Sequence, residues 1–116
     1  MLKHLLNTFR SELEVKIQRI EEGMTRIVRK TASKKSWVAH YGGSDEDPSR
    51  LVFWVCVQTD AEKERLAADT ALRRKLREQL AQHDYPPDAR SGVHIGFESQ
   101  ETVDRVSKGN WWGHWK

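Results

Sequence analysis

At 116 residues the chain is one domain by length, long enough to take about two thirds of its extended surface out of water without help from a disulfide or a metal. Lysine and arginine number 20 against 17 acids, a net charge of +3, which neither demands a nucleic-acid partner nor excludes one. The single cysteine excludes an internal disulfide.

The opening MLKHLLNTFRSELEVK turns charged too early for a signal peptide. Leu2, Leu6, Phe9, Leu13, Ile17, Ile20, Met24 and Ile27 follow at threes and fours, with Leu5 widening the stripe, and predict an amphipathic helix over 1–29. Positions 6, 13, 20 and 27 recur every seven residues, but Lys16 and Gly23 fill the intervening core positions and argue against a sustained coiled coil; a homodimer through this helix stays open. Gly23 either caps the helix near residue 22, leaving TRIVRK as a short strand, or lies inside a longer helix at a cost of about 1 kcal/mol. The longer helix is the reading taken. Arg26, Arg29, Lys30, Lys34 and Lys35 then gather cations in one short run with no acid among them: a solvated surface, a phosphate-binding patch, or a docking face for an acidic protein.

KSWVAHYGG and LVFWVCVQ read as two strands over 36–58 with a polar loop at 42–50. The first is short and partly polar, the second apolar on both alternate sets, so an outer strand lies beside an inner one. Asp45, Glu46 and Asp47 in the loop form an acidic spot in a basic chain. Cys56, inside the inner strand, reads as a small buried hydrophobe. The apolar run 51–57 is far short of the roughly 20 residues that span a bilayer, so no membrane partner and a cytoplasmic, reducing setting are expected.

Thr59 and Glu62 fit a capping box ahead of a helix over 60–82. Leu66, Ala68, Leu72, Leu76 and Leu80 lie on one side of it, and Arg73, Arg74, Lys75 and Arg77 occupy the remainder of its C-terminal half, where the helix dipole favours cations. Pro86 and Pro87 end the run. A strand over 92–98 points Val93, Ile95 and Phe97 one way and His94, Gly96 and Glu98 the other. Ser99 caps a short helix over 99–108, closed by Gly109 and Asn110, and a tryptophan-rich end follows over 109–116. The fold class expected is α+β: a small three-strand mixed sheet, four-stranded if TRIVRK joins it, packed against two longer helices, with a short C-terminal helix.

Strand, helix and strand over 51–98 predict a right-handed crossover with parallel strands. That topology brings Thr59 and Asp60 to the same sheet edge as Glu98 and Ser99. Asp60 and Glu98, with His94 on the same strand face, are candidate ligands for a divalent metal that prefers oxygen, although helix capping by Asp60 and Ser99 is the reading taken. Neither strand places beside these acids the lysine a metal-dependent nuclease would use. A glycine-rich phosphate loop, a paired-cysteine zinc spacing and a His-Glu-x-x-His helix are all absent, and no cofactor is expected. The histidines at 4, 40, 83, 94 and 114 are scattered, each read as a surface or hydrogen-bonded residue.

Trp111 and Trp115 are four apart and share a side of any helical turn; they are expected to cover an edge of the sheet or the end of the first helix, with Trp112 turned away. Stacking on unpaired bases has only Lys108 and Lys116 as flanking charge. Trp112, His114 and Trp115, together with Asp45, Glu46 and Asp47, are the candidate partner-binding residues. No nucleophile, base and charge stabiliser form a set, so the leading expectation is a non-catalytic protein-binding domain. The alternative is a nucleic-acid-binding protein or metal-dependent nuclease using the basic run 26–35 and the edge at Asp60 and Glu98. In size and mixture of elements the chain resembles small bacterial immunity proteins, which bind and neutralise a toxin domain. The resemblance implies an inhibitory role with a toxin domain as partner, and carries over no residue.

Overall fold

A computed structural model describes residues 11–115; His4 and the apolar positions Leu2, Leu5, Leu6 and Phe9 lie outside the described residues. Helix α1 (Glu12–Arg29) has a capped start at Ser11, whose extended backbone stops the helix there and whose hydroxyl accepts the Glu14 amide at 3.0 Å. The single helix expected over 1–29 is thus corrected to one that begins at residue 12. Glu12 and Glu14 in its first turn and Arg26 and Arg29 in its last both suit the helix dipole. The helix runs through Gly23 unbroken, and TRIVRK forms no strand. A Cβ at position 23 would lie 2.0 Å from the buried Gln79 side-chain oxygen, so the glycine marks the close approach of another helix.

Strands β1 (Trp37–Tyr41), β2 (Val52–Val57) and β3 (His94–Ser99) form one sheet in that spatial order, β1 antiparallel to β2 and β2 parallel to β3. The apolar strand is central, as its two hydrophobic faces require. Register puts Val38, Phe53, Val55, Ile95 and Phe97 on one face and Trp37, Trp54, Cys56, Gly96 and Glu98 on the other. The strand expected from 92 begins at His94, because Gly92 and Val93 still belong to a 3-10 turn (Pro87–Gly92) and its end.

The helix expected over 60–82 is two helices, α2 (Asp60–Ala67) and α3 (Thr70–Gln82). The break has a local cause: Asp69 is extended, and its carboxylate accepts the Leu72 amide at 3.0 Å, starting a new helix. Ala68, counted above among the apolar side, is the exposed C-cap of α2. Arg73, Arg74, Lys75 and Arg77 therefore occupy the first and middle turns of α3, and its last turn holds no basic residue. Any gain from the dipole is absent there.

Leu13, Ile17, Ile20, Met24 and Val28 of α1 pack with Leu66 of α2, Leu72, Leu76 and Leu80 of α3, and the first sheet face into one core. The apolar stripe that offered a homodimer contact is spent, over 12–28, inside the chain's own core. Tyr85 joins the core fully buried, and its hydroxyl donates to the Pro48 carbonyl, tying the end of α3 to the loop before β2. No helix among the described residues is long and apolar enough to cross a membrane.

The other sheet face is covered by the end of the chain. Helix α4 (Gln100–Ser107) closes at Lys108 and Gly109, both in the left-handed region, and Asn110 caps a single turn, α5 (Trp111–His114). Trp111 meets Trp37 edge-on at 4.7 Å between centroids, and its indole N–H donates to Gln100 Oε1 at 2.8 Å. Trp115 stacks on Trp54 and lies 5.5 Å from Trp111. Aromatic pairs in such geometries add about 0.5–1.5 kcal/mol each beyond the area they bury. The tryptophan-rich end is a second layer on the sheet.

Candidate functional site

Parallel pairing of β2 with β3 and the two helices that leave them gather a polar cluster at one sheet edge. Asp60, the first residue of α2, accepts the Ser99 hydroxyl at 2.5 Å, the Thr102 hydroxyl at 2.6 Å and Arg105 Nη1 at 3.0 Å. Ser99 caps α4 by accepting the Thr102 amide, and Thr102 and Arg105 follow at helical spacing on the same side. Hydrogen bonds from Ser99 and then Thr102, with the Arg105 guanidinium, hold the Asp60 carboxyl well below the usual carboxylate range despite partial desolvation.

Glu98 lies one strand residue away. It accepts Lys63 Nζ at 3.0 Å and the Ser99 amide at 2.9 Å on one oxygen, and His114 Nε2 at 2.8 Å on the other. Burial pushes this carboxyl up, but the bonds from His114, Ser99 and Lys63 outweigh it and leave Glu98 below its ordinary value. With Nε2 donating to the carboxylate, His114 Nδ1 faces the Ser107 hydroxyl at 2.8 Å. Glu98, His114 and Ser107 thus pin α5 to both β3 and α4.

The capping box is half formed. Thr59 accepts the Glu62 amide at 3.1 Å, but the Glu62 carboxylate turns to the Ser33 amide instead, and Glu101 takes the Asp60 amide at 2.7 Å. Lys63, Thr102, Arg105 and Ser107 were not singled out from sequence. The signal was the spacing of 60 with 63 and of 99, 102 and 105, one helix face each.

Asp60 and Glu98 do meet at the expected edge, but His94 does not join them; its ring packs edge-on against Trp54 at 5.4 Å. Among the described residues no three of His, Cys, Asp or Glu gather where a metal ion could be held. The lysine absent from the strands arrives from α2: Lys63 Nζ sits 3.0 Å from Glu98 and 3.9 Å from Asp60, and its ammonium holds the position between the carboxylates. Cys56, beside Glu98 on the same face, is fully buried, and burial followed by the Glu98 charge pushes its thiol up to about 12. No nucleophilic thiolate forms there near neutrality.

Of the candidate partner-binding residues, His114 and Trp115 face the sheet, while Trp112 is 66% exposed. Asp45 and Glu46 are exposed, whereas Asp47 is folded back onto Ser49 at 2.8 Å and Arg50 at 2.9 Å. Arg26, Arg29, Lys30, Lys34 and Lys35 are all exposed around the end of α1 and the turn after it, and none makes an ion pair with an acid among the described residues. No protein-family model matches the chain, and neither a curated protein nor a solved structure is significantly similar to it.

Proposed function

We propose that the chain is a non-catalytic protein-binding domain with Trp112 at the centre of its contact surface. One observation carries this reading: Trp112 is 66% exposed on a turn that Trp111, His114 and Trp115 hold to the sheet. An indole largely exposed on such a base brings large contact area with few torsions to freeze on binding, the usual property of an interface hot spot. Val106 on the preceding helix, 65% exposed, adds apolar surface. The cluster at Asp60 and Glu98 is internally satisfied and reads as architecture that sets the angle of the tail. An inhibitory role against a toxin domain, in the manner of immunity proteins and in a cytoplasmic setting, is one form this function takes.

The test is co-purification from native cells with wild type and Trp112→Ala, identified by mass spectrometry. Recovery of one protein should fall at least about tenfold for the variant while its melting temperature stays unchanged. If every recovered protein is held equally by both, Trp112 is not the contact.

A second reading, nucleic-acid binding, draws on the five exposed cations at 26–35, none in an ion pair among the described residues. It predicts a complex that weakens with salt by about 0.9 in logarithmic slope per duplex phosphate neutralised. Replacing Arg29, Lys30, Lys34 and Lys35 by glutamine should then abolish it. A sub-micromolar, salt-sensitive complex at physiological salt would put this reading first.

A further inference from the structure

We infer that the open edge of β3, with the arginine groove beside it, docks an extended acidic segment of a partner protein, which adds to the sheet as a fourth strand. This rests on the reading of the chain as a protein-binding domain, but it concerns a different surface from Trp112.

The edge comes first. The His94 amide donates to the Leu51 carbonyl at 3.0 Å, on the β2 side. Alternation along a parallel strand then turns the amides and carbonyls of Ile95 and Phe97 to the outer side. No described residue outside the sheet bonds to the main chain of either. Sheet edges are normally blunted by lysine, proline or a bulge, and the HIGFES strand has neither residue.

The groove supplies the chemistry. Its volume is about 680 Å³, Ile95 and Ala81 contribute apolar wall, and Arg73, Arg74, Arg77 and Arg90 surround it with Glu78 as the single acid. Two of these arginines are fixed: Arg77 donates to the Arg90 carbonyl at 3.0 Å and the Val93 carbonyl at 2.6 Å, and Arg90 Nε donates to the Tyr85 carbonyl at 2.7 Å. Arg73 and Arg74 are exposed on the rim, where Arg74 lies 3.8 Å from Glu78. Arg73, Arg74 and Arg77 gain nothing from the α3 dipole, and with Arg90, which has Asp84 at 3.9 Å, they leave the groove with more guanidinium than carboxylate, complementary to an acidic chain.

The two parts fit one ligand. A strand added about 4.8 Å from β3 would pair with Ile95 and Phe97, and every second side chain of it would fall on the face where α3 presents its arginines. The segment recognised therefore carries an acid at alternate positions.

The probe is a blocked heptapeptide alternating glutamate with threonine, against a lysine counterpart and a version with proline at its centre, titrated into the full chain by calorimetry and by amide exchange. The glutamate peptide should bind, and the Ile95 and Phe97 amides should exchange about tenfold more slowly near saturation. Affinity should fall about tenfold or more in Arg73→Glu with Arg74→Glu, which leaves melting unchanged, and should persist in Trp112→Ala. Equal binding of the lysine or proline peptide, unprotected Ile95 and Phe97 amides, or full affinity in the charge-reversed protein would overturn the inference. So would displacement of the peptide by a single-stranded oligonucleotide of comparable charge that binds more tightly. Any of these results together with Trp112-dependent recovery of a partner leaves the protein-binding reading standing.

Discussion

Trp115 of the last helical turn lies over Trp54 of the central strand, ring centroids 6.1 Å apart and planes within 14° of parallel. With Trp111 against Trp37, this makes the chain end part of the folded structure. Truncating a fully buried tryptophan typically costs about 3–5 kcal/mol, so the half-buried Trp111 should cost about 2 kcal/mol as Trp111→Ala in urea denaturation followed by circular dichroism. Trp112→Ala should stay within about 0.5 kcal/mol of wild type. Deleting residues 110–116 should destabilise more than Trp111→Ala, and unchanged melting of the truncated chain would remove the tail from the core.

Acid should loosen the edge where α2 and α4 begin. The folded Asp60 carboxyl is held below its ordinary value, chiefly by Ser99 and Thr102, so on acidification the unfolded chain takes up its proton first. The stabilisation from Asp60 is therefore complete above about pH 4, the unfolded value, and is lost as pH falls toward and through the lower folded one. Glu98 carries the same sign. Denaturation midpoints of wild type and Asp60→Asn between pH 7 and 2 should differ most at neutral pH and converge in acid. A difference that stays constant across this range would contradict the network.

Gly96 lies under the Trp54 ring. A Cβ there would come 2.5 Å from Trp54 Cζ3 and 2.8 Å from His94 Nε2, too close for either to stay. Gly96→Ala should tilt Trp54 away from Trp115, cost about 1–3 kcal/mol, and reduce the near-ultraviolet dichroism of the stacked indoles. Wild-type spectra and stability in this variant would mean the face is loosely packed.

Tyr85→Phe keeps the buried ring and removes the hydroxyl that donates to the Pro48 carbonyl. An acceptor left unsatisfied in the interior costs about 1–3 kcal/mol. Stability should fall by that amount, and amide exchange should quicken in the loop 42–50 more than in α1.

The strands and α1 were legible because alternation and threes-and-fours spacing survive in the residues themselves. The break at Asp69 was hidden by the leucines on either side, Leu66 and Leu72, which keep an apolar side through a change of helix axis. Tyr85 carries no such mark: the prolines beside it end a helical run, and nothing local says that the ring before them enters the core. The edge at Asp60 and Glu98 followed from parallel topology. Lys63 and Arg105 had only their spacing from Asp60 and Ser99 to mark them, and the same spacing serves a cation that reaches outward. For the tail, the spacing of Trp111 and Trp115 gave the shared side, whereas its seat on Trp37 and Trp54 depends on a strand register fixed only by the assembled sheet.

Cys56 lies between Trp37 and Glu98 on the sheet, the first in contact with Trp111 and the second with His114. It is the chain's one thiol, fully buried, with its ionisation pushed up to about 12 by burial and then by Glu98. A thiol-directed reagent thus finds its target neither reachable nor ionised until the cover lifts. The rate of labelling therefore follows the population in which the tail has undocked, read without adding a probe to the chain.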